Sequence, residues 1–156
     1  MTEPASPPVV IVDHLSGSRR GQRQELAASL RTRFGRHPDC EVSFDAHRDI
    51  DASSRHAELR PTERGWVLVD LGSSNGTFVD GQRVTEIAIA VGAPIVVEFG
   101  PGGPRIRIFV GDAAAVALLP APVVAAPRPR IPRWALYAAI GAVVVGVALA
   151  IWLARH

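Results

Sequence analysis

Gly72-Ser73-Ser74-Asn75-Gly76-Thr77-Phe78-Val79-Asp80-Gly81 decides how this chain folds. Its second half runs on through Gln82-Arg83-Val84, which places an Asp-Gly pair between two short strand-like runs. Asp-Gly tolerates positive φ at both turn centres, so the pair closes a two-residue type I′ hairpin. On either side, from Val9 to Val110, short apolar segments alternate with Gly, Pro and Asp punctuation. Strands are expected at 9–12, 24–34, 41–44, 56–60, 66–71, 77–79, 82–84, 94–99 and 105–110. In the last of these Ile106, Ile108 and Val110 alternate with Arg105, Arg107 and Phe109, the period of two of a half-buried strand. Only 25–33 also fits a helix, and strand is preferred there. Many short strands with regular turn signals give an all-β fold, a sandwich of two antiparallel sheets.

The chain has 156 residues, room for one modest domain and an appendage. Its charges divide unevenly. Residues 1–112 carry all fifteen acids and thirteen arginines, a net −2, whereas 113–156 carry four arginines and no acid. The basic excess therefore lies beside an apolar run, where it bears on membrane orientation and not on nucleic acid. Lysine is absent, which points to the coding bias of a G+C-rich bacterial genome. A lone Cys40 excludes an intrachain disulfide. The first eight residues, with an acid and three prolines, are expected to be disordered and lack the apolar core of a signal peptide.

Three pieces in order, Gly35-Arg36, Ser53-Ser54-Arg55-His56 and Ser74-Asn75-Gly76-Thr77-Phe78-Val79, resemble the forkhead-associated (FHA) domain, a module that binds phosphothreonine peptides. The resemblance covers roughly residues 22–110 and implies a sandwich whose loops form the binding site. The five histidines and one cysteine show no metal-ligand spacing and no Gly-rich nucleotide loop is present, so no cofactor, metal or catalysis is expected. The resemblance implies that Arg36 donates to the phosphate. Ser53 opens the family's Ser-x-x-His pattern, and its hydroxyl and backbone N–H are implied phosphate donors. Ser54 stands where relatives often have Arg or Lys, so phosphate binding is expected to be weaker or more salt-sensitive. Ser74 is implied to touch the phosphate and Asn75 to hold the peptide backbone. Gly35, His56 and Gly76 are implied supports, His56 bracing the loop without touching phosphate. Val91-Gly92-Ala93-Pro94-Ile95 resembles the family's Leu-x-x-Gly-Asp-x-Ile turn, with Ala93 where Asp is usual. The stretch between Arg36 and Ser53 is longer than in the family pattern, and its charged run 47–51 is expected to border the site, where its acids repel phosphate or select basic flanking residues.

Beyond the sandwich, placed at 9–112, the composition changes. Pro120, Pro122, Pro127, Pro129 and Pro132 make 113–133 an extended linker with polyproline II character. Residues 134–154 contain no charge and match the length needed to cross a hydrocarbon core of about 30 Å. Trp134, Tyr137 and Trp152 lie near the two ends of that run, where aromatic rings favour the membrane interface. A single transmembrane helix is expected. Arg128, Arg130 and Arg133 before it outweigh Arg155 after it, which keeps the N-terminal domain in the cytoplasm and the protein in the cytoplasmic (inner) membrane. Ala138, Ala142, Gly146 and Ala150 recur every fourth residue and form a candidate homodimer ridge, although a helix rich in Ala and Gly yields such a row by chance.

Two readings of function follow. One is a membrane-anchored adaptor that docks a threonine-phosphorylated protein in Ser/Thr kinase signalling. The alternative is a phosphate-independent FHA-like scaffold in a membrane assembly such as a secretion system; the presence of Arg36, Ser53, Ser74 and Asn75 favours the first. A third, a regulator itself phosphorylated at Thr2 or Thr32, has no support from sequence context. Gly72-x-Ser74-x-Gly76 matches the hydrolase nucleophile elbow literally, but that motif needs a helix to follow, and here a strand and turn follow.

Overall fold

The computed structural model describes residues 8–28 and 31–121. By its contacts the chain divides into Met1–Ala125 and Ala126–His156, and the described residues all lie in the first unit. Among them are β1 (Val9–His14), β2 (Arg23–Ala27), β3 (Thr32–Gly35), β4 (Val42–Ser43), β5 (Ala57–Thr62), β6 (Gly65–Asp70), β7 (Thr77–Val79), β8 (Gln82–Val84), β9 (Glu86–Ile89), β10 (Ile95–Phe99), β11 (Arg105–Gly111) and a short helix, α1 (Ala113–Ala117). Two sheets face each other, one of six strands ordered β2-β1-β11-β10-β7-β8 and one of five ordered β4-β3-β5-β6-β9.

The core forms where the inward faces meet. Val10, Val12, Val97, Ile106, Ile108 and Val110 come from the first sheet, and Phe34, Leu59, Leu68 and Ile89 from the second. Phe99 sits at the aromatic centre, with ring centroids 5.6 Å from Phe34 and 4.9 Å from Phe44. The β7–β8 hairpin has the expected turn: Asp80 and Gly81 have φ of 49° and 78°, and Val79 pairs with Gln82.

Several boundaries differ from the sequence reading. The run 24–34 is two strands, because β2 pairs with β1 while β3 pairs with β5 in the other sheet. β9 was not anticipated. The sheets are not wholly antiparallel: β3 and β4 run parallel, Phe34 opposite Val42 and Gly35 opposite Ser43. A parallel pair ordinarily needs a long crossover. Here β4 has two residues and starts beside the end of β3, so the turn between them needs to carry the chain back only a short way.

Residues 113–121, read as the start of an extended linker, instead form α1 and a following segment. Asp112 caps the helix, its Oδ1 accepting the Ala115 N–H at 2.7 Å, and the alanines that follow favour helix until Pro120. This segment explains why Phe109, on the outer side of β11, is 3% exposed. Phe109 lines an apolar groove with Ala115, Leu118 and Leu119. Among the described residues no helix is long and apolar enough to cross a membrane. The expected transmembrane run 134–154, its small-residue ridge, the rest of the linker and the first seven residues lie outside the described residues.

Candidate functional site

The site is built where three loops meet: the turn after β3, the long β4–β5 loop and the β6–β7 loop. Gly35 makes the first junction possible. A Cβ there would lie 2.2 Å from the Ser54 carbonyl oxygen, so only glycine lets the 53–55 backbone cross the end of β3. Across this contact Arg36 N–H donates to Ser53 O at 3.1 Å, His37 N–H to Ser54 O at 2.9 Å and His56 N–H to Phe34 O at 2.8 Å.

Arg36 follows directly. Its Nε donates to Ala52 O at 2.6 Å and its Nη1 to Ala46 O at 2.8 Å, both in the β4–β5 loop. The guanidinium is thus oriented by two backbone carbonyls and keeps three of its five N–H groups for another acceptor. The charged run 47–51 borders the site, Asp51 O accepting from Asn75 Nδ2, but one of its acids is turned inward. Asp49 is 4% exposed and accepts the Ser18 and Asp45 N–H groups, each at 3.0 Å, so this acid braces the loop and does not confront a ligand.

His56 is wholly buried between the loops. Its Nδ1 accepts the Ser53 N–H at 2.9 Å and its Nε2 lies 3.0 Å from Gly76 O. An accepting Nδ1 puts the proton on Nε2, so the ring is the neutral tautomer and Nε2 donates. Burial pushes its pKa below the usual histidine value, against the opposing effects of the Gly76 carbonyl and Asp70. His56 thus ties the Ser53 loop to the Gly76 loop. One expectation for Ser53 is corrected: its N–H is occupied by His56 and is not available to phosphate. The Ser53 hydroxyl accepts the Ser74 N–H at 3.0 Å and keeps its own proton to donate.

The β6–β7 loop is held by residues the sequence reading did not single out. Asp70 Oδ1 accepts the Gly72 and Ser73 N–H groups at 2.8 Å each, and Oδ2 accepts the Ser73 and Thr77 hydroxyls at 2.6 Å each. Burial raises the Asp70 pKa, but these donors outweigh it and hold the carboxyl below its ordinary value. Ser73 Oγ in turn accepts the Gly76 N–H at 2.9 Å. The signal was present as Asp-x-Gly-Ser, a carboxylate two and three residues ahead of amides it can turn back on. Gly76 has φ +87°, and a Cβ on it would lie 2.5 Å from Arg83 Nε. Its carbonyl accepts from Gly100 N–H at 2.9 Å as well as from His56.

The expected site residues are therefore brought together. Arg36 and Ser53 touch through the backbone, Ser53 and Ser74 through a hydroxyl, and Asn75 Nδ2 donates to Asp51 O at 2.9 Å. Ser54, Ser74 and Asn75 are exposed, and among the described residues the Ser54 and Ser74 hydroxyls have no hydrogen-bond partner. One guanidinium, three hydroxyls and one carboxamide on rigidly tied loops make a donor-rich surface for an anion flanked by a peptide backbone. The strand β7 begins directly after Gly76, where the nucleophile-elbow motif needs a helix, so Gly72-x-Ser74-x-Gly76 is not that motif. Thr32 is 2% exposed in β3, which removes it as a modification site, and Thr2 lies outside the described residues.

A β-sandwich with donors on the loops at one end defines a peptide-recognition module. The model of the FHA domain matches residues 32–98. The crystal structure of Mycobacterium tuberculosis Rv1747 FHA-1 is 30% identical, with a TM-score of 0.56, covering 68% of this chain and 99% of that one. The chain belongs to the FHA-domain family. A structure from a structural and functional study of phosphothreonine-dependent FHA domain interactions is 29% identical, covering 66% of this chain and 95% of that one at a TM-score of 0.50. The glycogen accumulation regulator GarA of M. tuberculosis H37Rv is 38% identical over 76 residues, 49% of this chain and 44% of GarA. The chain thus spans less than half the length of that relative. FHA domains bind phosphothreonine-containing partner proteins.

Proposed function

We propose that this protein is an adaptor that docks a threonine-phosphorylated partner through the loops carrying Arg36, Ser53, Ser54, Ser74 and Asn75, and that residues 134–154 tether it to the cytoplasmic membrane with the FHA domain inside the cell. The partner is a Ser/Thr kinase or one of its substrates. The observation that carries the reading is the mutual fastening of Arg36, Ser53, Ser74 and Asn75, with donors left over. A phosphothreonine brings close to two negative charges and three acceptor oxygens. Arg36 supplies a charge-assisted bond of about 1.5–3 kcal/mol, and the serine hydroxyls fill the remaining acceptors. Asn75, with one amide hydrogen on Asp51, offers its other donor and its oxygen to the peptide backbone. With Ser54 in place of a second cation, binding is modest and falls with salt. Tethering compensates by raising the effective concentration of partners at the membrane.

The test is calorimetry of the full chain in mild detergent against a peptide library centred on phosphothreonine, with phosphoserine and unphosphorylated controls. Binding that needs the phosphate, with a several-fold preference for threonine from about 1 kcal/mol of buried methyl, supports the reading. Equal binding of the unphosphorylated library returns the protein to the scaffold class. Membrane fractionation of cells expressing the full chain and a chain ending at residue 121 tests the tether separately.

A further inference from the structure

The outer face of the six-stranded sheet carries a second constellation, away from the recognition loops. Asp13 on β1 has Arg23 of β2 and Arg107 of β11 as its cross-strand neighbours. Arg23 donates from Nε to Oδ1 at 2.6 Å and from Nη2 to Oδ2 at 3.0 Å. Arg107 donates to Oδ2 from Nε at 3.0 Å and from Nη2 at 2.6 Å. Asp13 is 1% exposed, and one carboxylate between two guanidiniums leaves the cluster with a net charge of +1. The same two Nη2 nitrogens also converge on one further atom, the carbonyl oxygen of Pro120, at 3.1 and 2.8 Å. Paired guanidinium N–H groups aimed at a single oxygen are a geometry for an anion. Here they hold a neutral carbonyl.

The segment that supplies this carbonyl is lightly attached. α1 buries none of its residues, and Leu118 is 85% exposed. β11 runs from the recognition end to Gly111 at the opposite end, and residues 112–121 return along the outer face to the Arg107 row. Ala115, Leu118, Leu119 and Pro120 of this segment face Gly92, Pro94 and Phe109 across an apolar groove.

We propose that Arg23 and Arg107 form a second ligand site, for a carboxylate side chain within an acidic and partly apolar segment of a partner protein, and that residues 112–121 are the chain's own occupant, displaced when the partner binds. A carboxylate oxygen takes the place of the Pro120 carbonyl and adds a charge that the cluster's surplus of +1 matches; a phosphate dianion would exceed it. The apolar residues beside that carboxylate take the place of Leu118 and Leu119 against Gly92, Pro94 and Phe109. None of these groups belongs to the Arg36 site, so success or failure here leaves the phosphothreonine reading to its own test.

The experiment titrates two peptides into the full chain in mild detergent and follows the Nε–H signals of Arg23 and Arg107 by NMR. One is acetyl-Val-Ala-Leu-Leu-Glu-Ala-Pro-amide, the chain's own segment with glutamate at the clamped position; the other has glutamine there. Saturable shifts of both arginines with the glutamate peptide, at least about tenfold weaker with glutamine, are expected. Asp112→Ala removes the cap of α1 and is expected to raise the affinity for the glutamate peptide about fivefold by releasing the resident segment. Arg23→Gln leaves Asp13 paired with Arg107 and is expected to weaken binding about tenfold. Equal binding of the two peptides, or an affinity indifferent to Asp112→Ala, overturns the proposal.

Discussion

Replacing His56 by alanine is the sharpest perturbation of the scaffold that holds the site. The ring is wholly buried and stands edge-on to Phe99 with centroids 5.1 Å apart. Its loss removes two hydrogen bonds, but they do not count equally. The Gly76 carbonyl keeps the Gly100 N–H at 2.9 Å, so it remains satisfied. The Ser53 N–H loses its acceptor, and orphaning this half-buried donor costs about 1–2 kcal/mol. The cavity left by most of an imidazole adds about 2–3 kcal/mol. The sum, about 4 kcal/mol, is a large part of the 5–15 kcal/mol typical of a domain. Urea denaturation followed by circular dichroism reads it. With a slope near 1.5 kcal/mol per molar, the midpoint falls by roughly 2–3 M, or the variant is unfolded without urea. A shift below about 0.5 M would refute the assignment of His56 as the brace between Ser53 and Gly76.

Other consequences follow from the same contacts. Gly35→Ala sets a Cβ against the Ser54 backbone and is expected to cost about 2 kcal/mol and to weaken phosphopeptide binding together with stability; thermal melts and calorimetry on one sample check both. Asp70→Asn weakens the loop that presents Ser74 and Asn75, and a loss of about 1–2 kcal/mol with weaker peptide binding is expected from parallel urea and binding curves. Stability should also depend on pH. Burial holds the folded pKa of His56, and likewise of His14, below 6.5, so the unfolded chain binds more protons in mild acid. Their contribution is complete above pH 6.5 and is lost as pH falls from there toward the folded values. Asp13 and Asp70 have folded values below 3.8 and contribute no slope in that window. Urea midpoints should therefore fall between pH 7.5 and 5.5, and a flat or rising profile would contradict the neutral, buried His56.

The sandwich was legible because turns and short apolar runs carry local signals. Asp80-Gly81 specified its hairpin, and the alternation in β11 placed Ile106, Ile108 and Val110 in the core. What the sequence did not show depends on tertiary neighbours. The switch of sheets between β2 and β3 is a choice of partner, and residues 24–34 contain no Gly, Pro, Asn or Asp to announce it. The alternation of Ile87 and Ile89 in β9 is a local signal too, though only four residues long. At the site, Gly35, Arg36, Ser53, Ser74 and Asn75 were found through their order along the chain. The occupation of the Ser53 N–H by His56 and the Asp70 network required the loops to be folded against each other. The docking of residues 112–121 rests on Arg23 and Arg107, 97 and 13 residues from Pro120 in sequence, and no local pattern reports it.

The central claim is that Arg36, oriented by Ala46 and Ala52, reads the phosphate of a phosphothreonine. The most direct measurement is calorimetric titration of one phosphothreonine peptide, selected from the library, and its unphosphorylated twin into the full chain and into Arg36→Ala. The account predicts that phosphate strengthens binding to the wild-type chain and that Arg36→Ala loses about 1.5–3 kcal/mol of it, a factor of about 10 to 150, with the fold intact. Equal binding of the two peptides, or phosphate-dependent binding untouched by Arg36→Ala, would contradict it.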